Sequence, residues 1–298
     1  MKTLISIVGT TGIGKTSLAI SLAKHFKTEI ISCDSRQFFL EMNIGTAKPS
    51  IQELAAIPHH FIGNLSVENY YSIGQFEVES LEKIEELFLK NDVVIMVGGS
   101  MMYEKAVIEG LNDLPEANEE NQKRLNEIWE KEGLIALQNL LKNLDPEYYE
   151  KVDIQNPRRL LRAIDIIWQT GKSYTKMISD SKITRNFKVI RIGIEAERQV
   201  IYERINNRVD VMMEAGLLQE VQTLTPFKNL VALNTVGYAE FFKYFDGEWD
   251  LDFAISEVKK NSRRFAKRQL TWYRKEENIH WVNFENSFAE SLSLLKLM

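Results

Sequence analysis

Hydrophobic positions in the first hundred residues fall into two alternating rhythms. Leu4 to Val8, Ile30 to Ser32 and Val93 to Val97 are short β-branched runs, mostly apolar on both sides, the texture of strands covered by helices on each face of a parallel sheet. Between them, Thr16 to Phe26 and Ile73 to Leu89 carry apolar residues at helical spacing, the second at Phe76, Val78, Leu81, Ile84, Leu87 and Phe88. Strand and helix alternate, which predicts an α/β core built on a parallel sheet.

From about Pro115 to Ser181 the pattern changes to helical segments rich in Glu, Lys and Asn, with Leu134, Leu137, Leu140, Leu141 and Leu144 on one face and no strand. The expected organisation is therefore a core of residues 1–114 and 186–298, with a helical insertion over 115–185. Within the insertion, Asn156-Pro157 reads as an N-cap followed by proline at the first helical position, and Gly171 stands where a C-terminal cap belongs. That helix carries Arg158, Arg159 and Arg162. A strand at Lys188 to Ile194 returns to the core, and long amphipathic helices are predicted around Arg198 to Leu224 and Phe253 to Arg274.

Composition narrows the function classes. With 298 residues, 44% of them apolar and 27% charged, the chain has the make-up of a soluble globular protein. A net charge of −5 argues against whole-surface attraction to nucleic acid, so any RNA contact must come from local clusters of Lys and Arg. The single cysteine, Cys33, excludes an internal disulfide and a multi-cysteine zinc site and suits a reducing cytoplasm. No apolar run approaches membrane-spanning length, so a cytoplasmic protein without membrane contact is expected. His59 and His60 have no cysteine or carboxylate at ligand spacing and read as structural.

The strongest chemical signal is Gly9-Thr10-Thr11-Gly12-Ile13-Gly14-Lys15-Thr16, which satisfies G-x-x-x-x-G-K-[ST] directly after a strand and at the start of a helix. Glycines let backbone N–H groups converge on an anion, the helix N-terminus adds positive potential, Lys15 bridges phosphate oxygens, and Thr16 is placed to ligate Mg²⁺. A nucleotide hydrolase or kinase would also carry an acid at the end of a core strand. Here that strand reads Val93 to Val97 followed by Gly98-Gly99-Ser100, with no acid.

An acid stands instead after the second strand, in Cys33-Asp34-Ser35-Arg36-Gln37. Ligands of open parallel sheets bind beyond the carboxyl ends of the strands. Asp34 and Ser100 are thus expected to face the anion, Asp34 accepting a proton or hydrogen bond and Ser100 supporting a leaving oxygen; Asp34 also fits a plain helix N-cap. Lys259 to Lys275 holds eight Lys and Arg residues and no acid, interleaved with Phe265, Trp272 and Tyr273. It reads either as a phosphate-contacting helix or as a solvated face.

Taken together, these residues resemble the bacterial tRNA dimethylallyltransferases over nearly the whole chain. The resemblance rests on the P-loop, Asp34-Ser35-x-Gln37, Asn43 to Pro49, Pro58 to His60, Tyr71-Ser72 with Phe76, Val97 to Tyr103, Glu109 to Leu111, Asp145 to Glu147 and Arg159 to Ala163. It continues through Arg204 to Val209, Gly216 to Val221, Val236 to Tyr238 and Ala266 to Trp272. The resemblance implies a P-loop core with a helical insertion that grips the anticodon stem-loop of tRNA. It also implies dimethylallyl diphosphate and Mg²⁺ at the loop, and transfer to N6 of the adenosine just 3′ of the anticodon.

By the same resemblance, Asp34 engages the adenine amine, Ser100 stands near the bridging oxygen in place of the family's threonine, and Arg208 joins Lys15 on the departing diphosphate. Asp34, Ser35, Arg36 and Gln37, together with Arg158, Arg159, Leu160, Leu161 and Arg162, correspond to segments that touch tRNA. A monomer with no obligate protein partner is expected. Departures are the GTTGIGKT loop where GPTASGKT is usual, Phe39 for tyrosine, Gly63 for aspartate, Asp153 to Asn156 for a His-Pro-Asn-Asp run, and Gln122 for an arginine. Three rivals share parts of this pattern: an adenylate prenyltransferase, which needs no tRNA clamp; a small-molecule kinase, which would need the missing acid; and a non-catalytic RNA-binding module.

Overall fold

The computed structural model describes residues 1–178 and 183–297; residues 179–182, inside the expected helical insertion, and Met298 lie outside the described residues. The chain divides into two compact units, one of Met1–Ile108 with Arg185–Met298 and one of Glu109–Thr184. The first unit opens with β1 (Thr3–Gly9), α1 (Lys15–Phe26), β2 (Ile30–Ser32), α2 (Ile51–Ala56), β3 (His59–His60), α3 (Ile73–Phe88), β4 (Val93–Val97) and α4 (Met101–Glu109). The second holds α5 (Glu119–Glu132), α6 (Leu134–Leu144), α7 (Pro146–Lys151), α8 (Pro157–Thr170) and α9 (Tyr174–Ile178). The first unit resumes with β5 (Lys188–Glu195), α10 (Arg198–Glu214), α11 (Leu217–Thr223), α12 (Ala239–Phe245), α13 (Leu251–Tyr273), β6 (Ile279–Asn283) and α14 (Ser287–Leu297).

Among the described residues the strands form one parallel sheet in the order β3-β2-β4-β1-β5-β6. Its two faces follow from the period-two geometry of a strand. Leu4, Val94 and Met96 turn to one side and pack with Phe76, Ile84 and Leu87 of α3. Ile5, Ile7, Ile95 and Val97 turn to the other and pack with Leu18, Leu22 and Ala23 of α1. Both sides are buried, so the strands read as continuous apolar runs rather than as alternation. Ser72 starts α3 with a reciprocal capping box to Gln75. The stripe of α3 runs through Phe76, Ser80, Ile84, Leu87 and Phe88, leaving Val78 exposed.

Two strands were absent from the sequence-based expectation. β3 has two residues, too few to carry a period, and β6 is an edge strand whose burial is interrupted at His280 and Trp281. His59 and His60 form β3, and His60 Nε2 lies 2.6 Å from Glu29 Oε2. The helix predicted as continuous from Arg198 to Leu224 is broken in two, because Gly216 adopts φ 98° and starts α11 afresh.

Behind the sheet's carboxyl edge, Arg191 of β5 pairs with Glu104 at 2.8 Å and Glu276 at 3.0 Å, while Ser6 donates to Glu104 at 3.0 Å. Burial pushes the Glu104 carboxyl up, and Arg191 opposes that shift.

In the second unit, Leu125, Leu137, Leu141, Leu160, Ala163, Ile164 and Ile167 form one core joining α5, α6 and α8. Buried Asp165 receives hydrogen bonds from the Asn118 N–H, Asn121, Arg162 and Gln169. Arg162 also donates to the Pro115 carbonyl and Gln169 to the Glu116 carbonyl. These bonds fasten residues 115–121 to α8 within the second unit, which begins at Glu109 rather than at the compositional change near Pro115.

Candidate active site

β1 delivers the chain into the glycine loop at Gly9. Gly12 and Gly14 then take positive φ of 78° and 108°, which turns the backbone into the N-terminus of α1. Lys15 Nζ curls back over the loop and donates to the Gly9 carbonyl at 3.1 Å and the Thr10 carbonyl at 2.8 Å. Burial pushes its ammonium down to about 8, with Asp34 opposing the shift and Arg208 adding to it. Arg208, on α10, is likewise lowered by burial and supported by Asp34. Two partly desolvated cations near a single carboxylate form a pocket that an anion would complete. The cleft around them encloses about 550 Å³ and is lined by Thr11, Gly12, Gly14, Lys15, Thr16, Asp34, Gln37, Glu53, Arg204 and Arg208.

Asp34 stands just past β2. Its Oδ1 accepts from the Arg36 N–H at 3.1 Å, so it caps a tight turn rather than the helix that its pattern also allowed. Beside it, β4 gives way to Gly98, where a Cβ would meet the Cys33 carbonyl carbon at 2.5 Å; only glycine lets the ends of β2 and β4 come this close. Ser100 follows, its Oγ accepting from the Ser35 N–H and sharing a hydrogen bond with Ser35 Oγ, both at 2.9 Å.

A second cavity of about 270 Å³ is walled by Ser35, Arg36, Gly45, Thr46, Ser100, Met101, Ile205, Met212, Val236 and Phe265, and it shares Thr11, Asp34 and Arg208 with the phosphate-sized cleft. The carboxylate, one cation and one loop residue thus belong to both chambers, one rich in phosphate-binding groups and the other with apolar walls.

The residues expected to touch tRNA separate by environment. Arg36 reaches the second cavity but spends its guanidinium on the Val231 and Ala232 carbonyls. The Gln37 amide donates to the Thr46 and Ala47 carbonyls, fastening the loop that walls both chambers. On α8, Arg158 and Arg159 are exposed and Leu161 is half-buried. Arg162 is tied to Asp165 and Pro115. The Leu160 side chain is wholly buried in the core of the second unit, because it falls on the inward stripe of α8, and leaves only its backbone for an RNA contact.

The basic helix is mixed in character. Lys259 pairs with Asp210, Arg263 with Asn206 and Lys260 with Glu257, while Arg264, Lys267 and Arg268 are exposed. Two residues with no sequence-derived role prove central. Gln269 is fully buried between the P-loop and Gly99. Glu220 accepts from the N–H groups of Asn43, Ile44 and Gly45 and from the Tyr238 hydroxyl, holding the loop beside the second cavity. Both lay within motifs that marked the family, but a motif does not say what a side chain touches.

Thr16, Asp34 and Glu53 bring a hydroxyl and carboxylates to the phosphate cleft. This donor set fits Mg²⁺, which prefers oxygen ligands, retains waters and binds largely through a substrate's phosphates. Among the described residues no group of three or more His, Cys, Asp or Glu is placed to hold a metal without such a substrate.

The fold and site define a P-loop protein in which the acid has moved from the end of β4 to the end of β2. A family model described as IPP transferase matches residues 37–276. A tRNA dimethylallyltransferase of Christiangramia forsetii is 54% identical over 95% of this chain and 94% of its own, and one of Flavobacterium johnsoniae is 52% identical over 97% and 96%. Among solved structures, the tRNA isopentenylpyrophosphate transferase of Bacillus halodurans superposes with TM-score 0.74 at 33% identity, covering 99% of this chain and 96% of that one. A eukaryotic dimethylallyltransferase acting on tRNA gives 0.85 at 26%, covering 99% and 78%. The chain belongs to the IPP transferase family.

Proposed function

We propose that this protein is a tRNA dimethylallyltransferase. It transfers the five-carbon group of dimethylallyl diphosphate to N6 of the adenosine 3′-adjacent to the anticodon and releases diphosphate. The observation that carries this reading is the pair of chambers sharing Asp34 and Arg208, one built for a diphosphate and the other walled by apolar residues. Kinase chemistry would need an acid at the end of β4, where Gly98, Gly99 and Ser100 stand.

In the proposed reaction the adenine nitrogen attacks the allylic carbon as the bond to the diphosphate oxygen breaks, and the electron pair leaves with the diphosphate. Lys15 and Arg208 take up the developing charge, in a cleft where their own burial leaves them short of anionic partners. Asp34 orients the amine and accepts its proton. Ser100, steadied by Ser35, faces the bridging oxygen. Thr16, with Asp34 nearby, would hold Mg²⁺, which supplies further charge neutralisation on the diphosphate. The adenine must leave its stack to enter a chamber of this size, and exposed Arg158 and Arg159 supply backbone attraction to the anticodon stem-loop.

The test incubates the purified protein with Mg²⁺, dimethylallyl diphosphate and either unmodified tRNA or AMP, followed by mass spectrometry of the nucleosides. Prenylated adenosine from tRNA alone, lost in Asp34→Ala, is the expected result. Transfer to AMP alone would make the protein an adenylate prenyltransferase, and no transfer to either would overturn the reading.

A further inference from the structure

Gln269 lies on α13, far along the chain from every residue given a role in the transfer, and its side chain is wholly buried. It makes two hydrogen bonds, one with each end of its amide. Oε1 accepts from the Thr11 N–H of the P-loop at 2.8 Å, and Nε2 donates to the Gly99 carbonyl at 2.8 Å. A Cβ added at Gly99 would approach this Nε2 to 2.9 Å and Asp34 Oδ2 to 3.4 Å, so the contact sits against the carboxylate itself. One side chain thus ties the phosphate loop to the turn that carries Ser100.

The geometry matters because the two tied segments hold opposite ends of the reaction. The P-loop and Lys15 grip the diphosphate; Asp34 and Ser100 serve the forming and breaking bonds. β1 and β4 are neighbours in the sheet, but their ladder stops at Ile7 and Val97; β1 goes on pairing β5 as far as Gly9, and beyond Val97 the two segments are not paired to each other as strands. The amide of Gln269 bridges the gap. A buried amide satisfied at both ends is directional: it needs an acceptor toward Thr11 and a donor toward Gly99.

We infer that Gln269 is a positioning residue for prenyl transfer, keeping the diphosphate-binding loop and the Ser100 turn in register; the inference rests on the transferase reading above. Misplacement of reacting groups by about 1 Å costs about 10²-fold in rate, so the loss falls on kcat rather than on binding of the diphosphate.

The experiment compares wild type, Gln269→Met and Gln269→Glu in three measurements: melting temperature, Kd for inorganic diphosphate with Mg²⁺, and kcat for tRNA prenylation from pH 5.5 to 8.5. Methionine preserves length and removes both hydrogen bonds. It is expected to lower kcat by about 10- to 100-fold while the diphosphate Kd stays within about threefold. The glutamate variant distinguishes positioning from packing. Ionised, its carboxylate presents acceptors to both Thr11 and Gly99; protonated, it regains the donor toward the Gly99 carbonyl and copies glutamine. Its kcat relative to wild type is therefore expected to recover as the pH falls, while that of the methionine variant stays flat. Wild-type kcat in the methionine variant, or a glutamate variant with no such recovery, would overturn the role. A wild type that transfers no prenyl group would overturn the transferase reading and the role with it.

Discussion

The P-loop cleft and helix α8 both present basic residues at a candidate substrate site, yet they present them in opposite ways. Lys15 and Arg208 are half-buried, lowered by desolvation, and set beside one carboxylate. Arg158 and Arg159 stand in solvent on the outer face of a helix whose inner stripe is core. Buried charge is costly and worth its cost only where a charge of fixed position is to be met, as at a departing diphosphate. Exposed charge is cheap and screened, suited to a polyanionic backbone recognised by attraction rather than by geometry. The difference separates groups expected to govern rate from groups expected to govern encounter and affinity.

The largest effect expected from this contrast is at Asp34. Asp34→Ala should lower kcat by about 10²- to 10⁴-fold with unchanged melting temperature, measured by single-turnover transfer to tRNA. A normal rate would remove the carboxylate from the chemistry.

Next comes a position on α8 assigned to packing. Leu160→Ala should cost about 2 to 5 kcal/mol in urea unfolding of the second unit; a stability within about 0.5 kcal/mol of wild type, with tRNA binding impaired, would return Leu160 to the RNA surface.

The third prediction concerns pH. The Lys15 ammonium is held down at about 8 in the unliganded protein, and diphosphate binding needs it charged. Binding is therefore fully supported below pH 8. Above it, affinity should fall by about tenfold per pH unit until the pKa of the complex is reached, as read by calorimetry with inorganic diphosphate. A flat profile between pH 7.5 and 9.5 would mean that Lys15 does not titrate there.

The smallest effect is expected from Arg158→Ala with Arg159→Ala. The pair should weaken tRNA binding several-fold, flatten the dependence of log Kd on log salt by about one unit per arginine, and leave kcat at saturating tRNA unchanged. A loss confined to kcat would erase the distinction between the two kinds of cation.

Much of this architecture was legible along the chain. The P-loop, the central strands, the Asn156 cap and the Gly171 stop all appear where their residues place them. What escaped was too short to have a period, as in β3, broken in its burial at the sheet edge, as in β6, or set by one backbone angle, as at Gly216. Leu160 shows a different limit: the basic residues around it drew attention to the whole segment, while helical geometry turned that one side chain inward.

The sequence by itself therefore determined the glycine loop, the strand texture and the family, because each depends on residues a few positions apart whose backbone preferences and spacing are local. Tertiary structure alone decided that Gln269 reaches from α13 to join the P-loop to Gly99, that Glu220 holds the loop beside the second cavity, and which arginines are fastened and which stand in water. Those outcomes depend on which distant segments pack together and shut out solvent, and no local spacing along the chain encodes that choice.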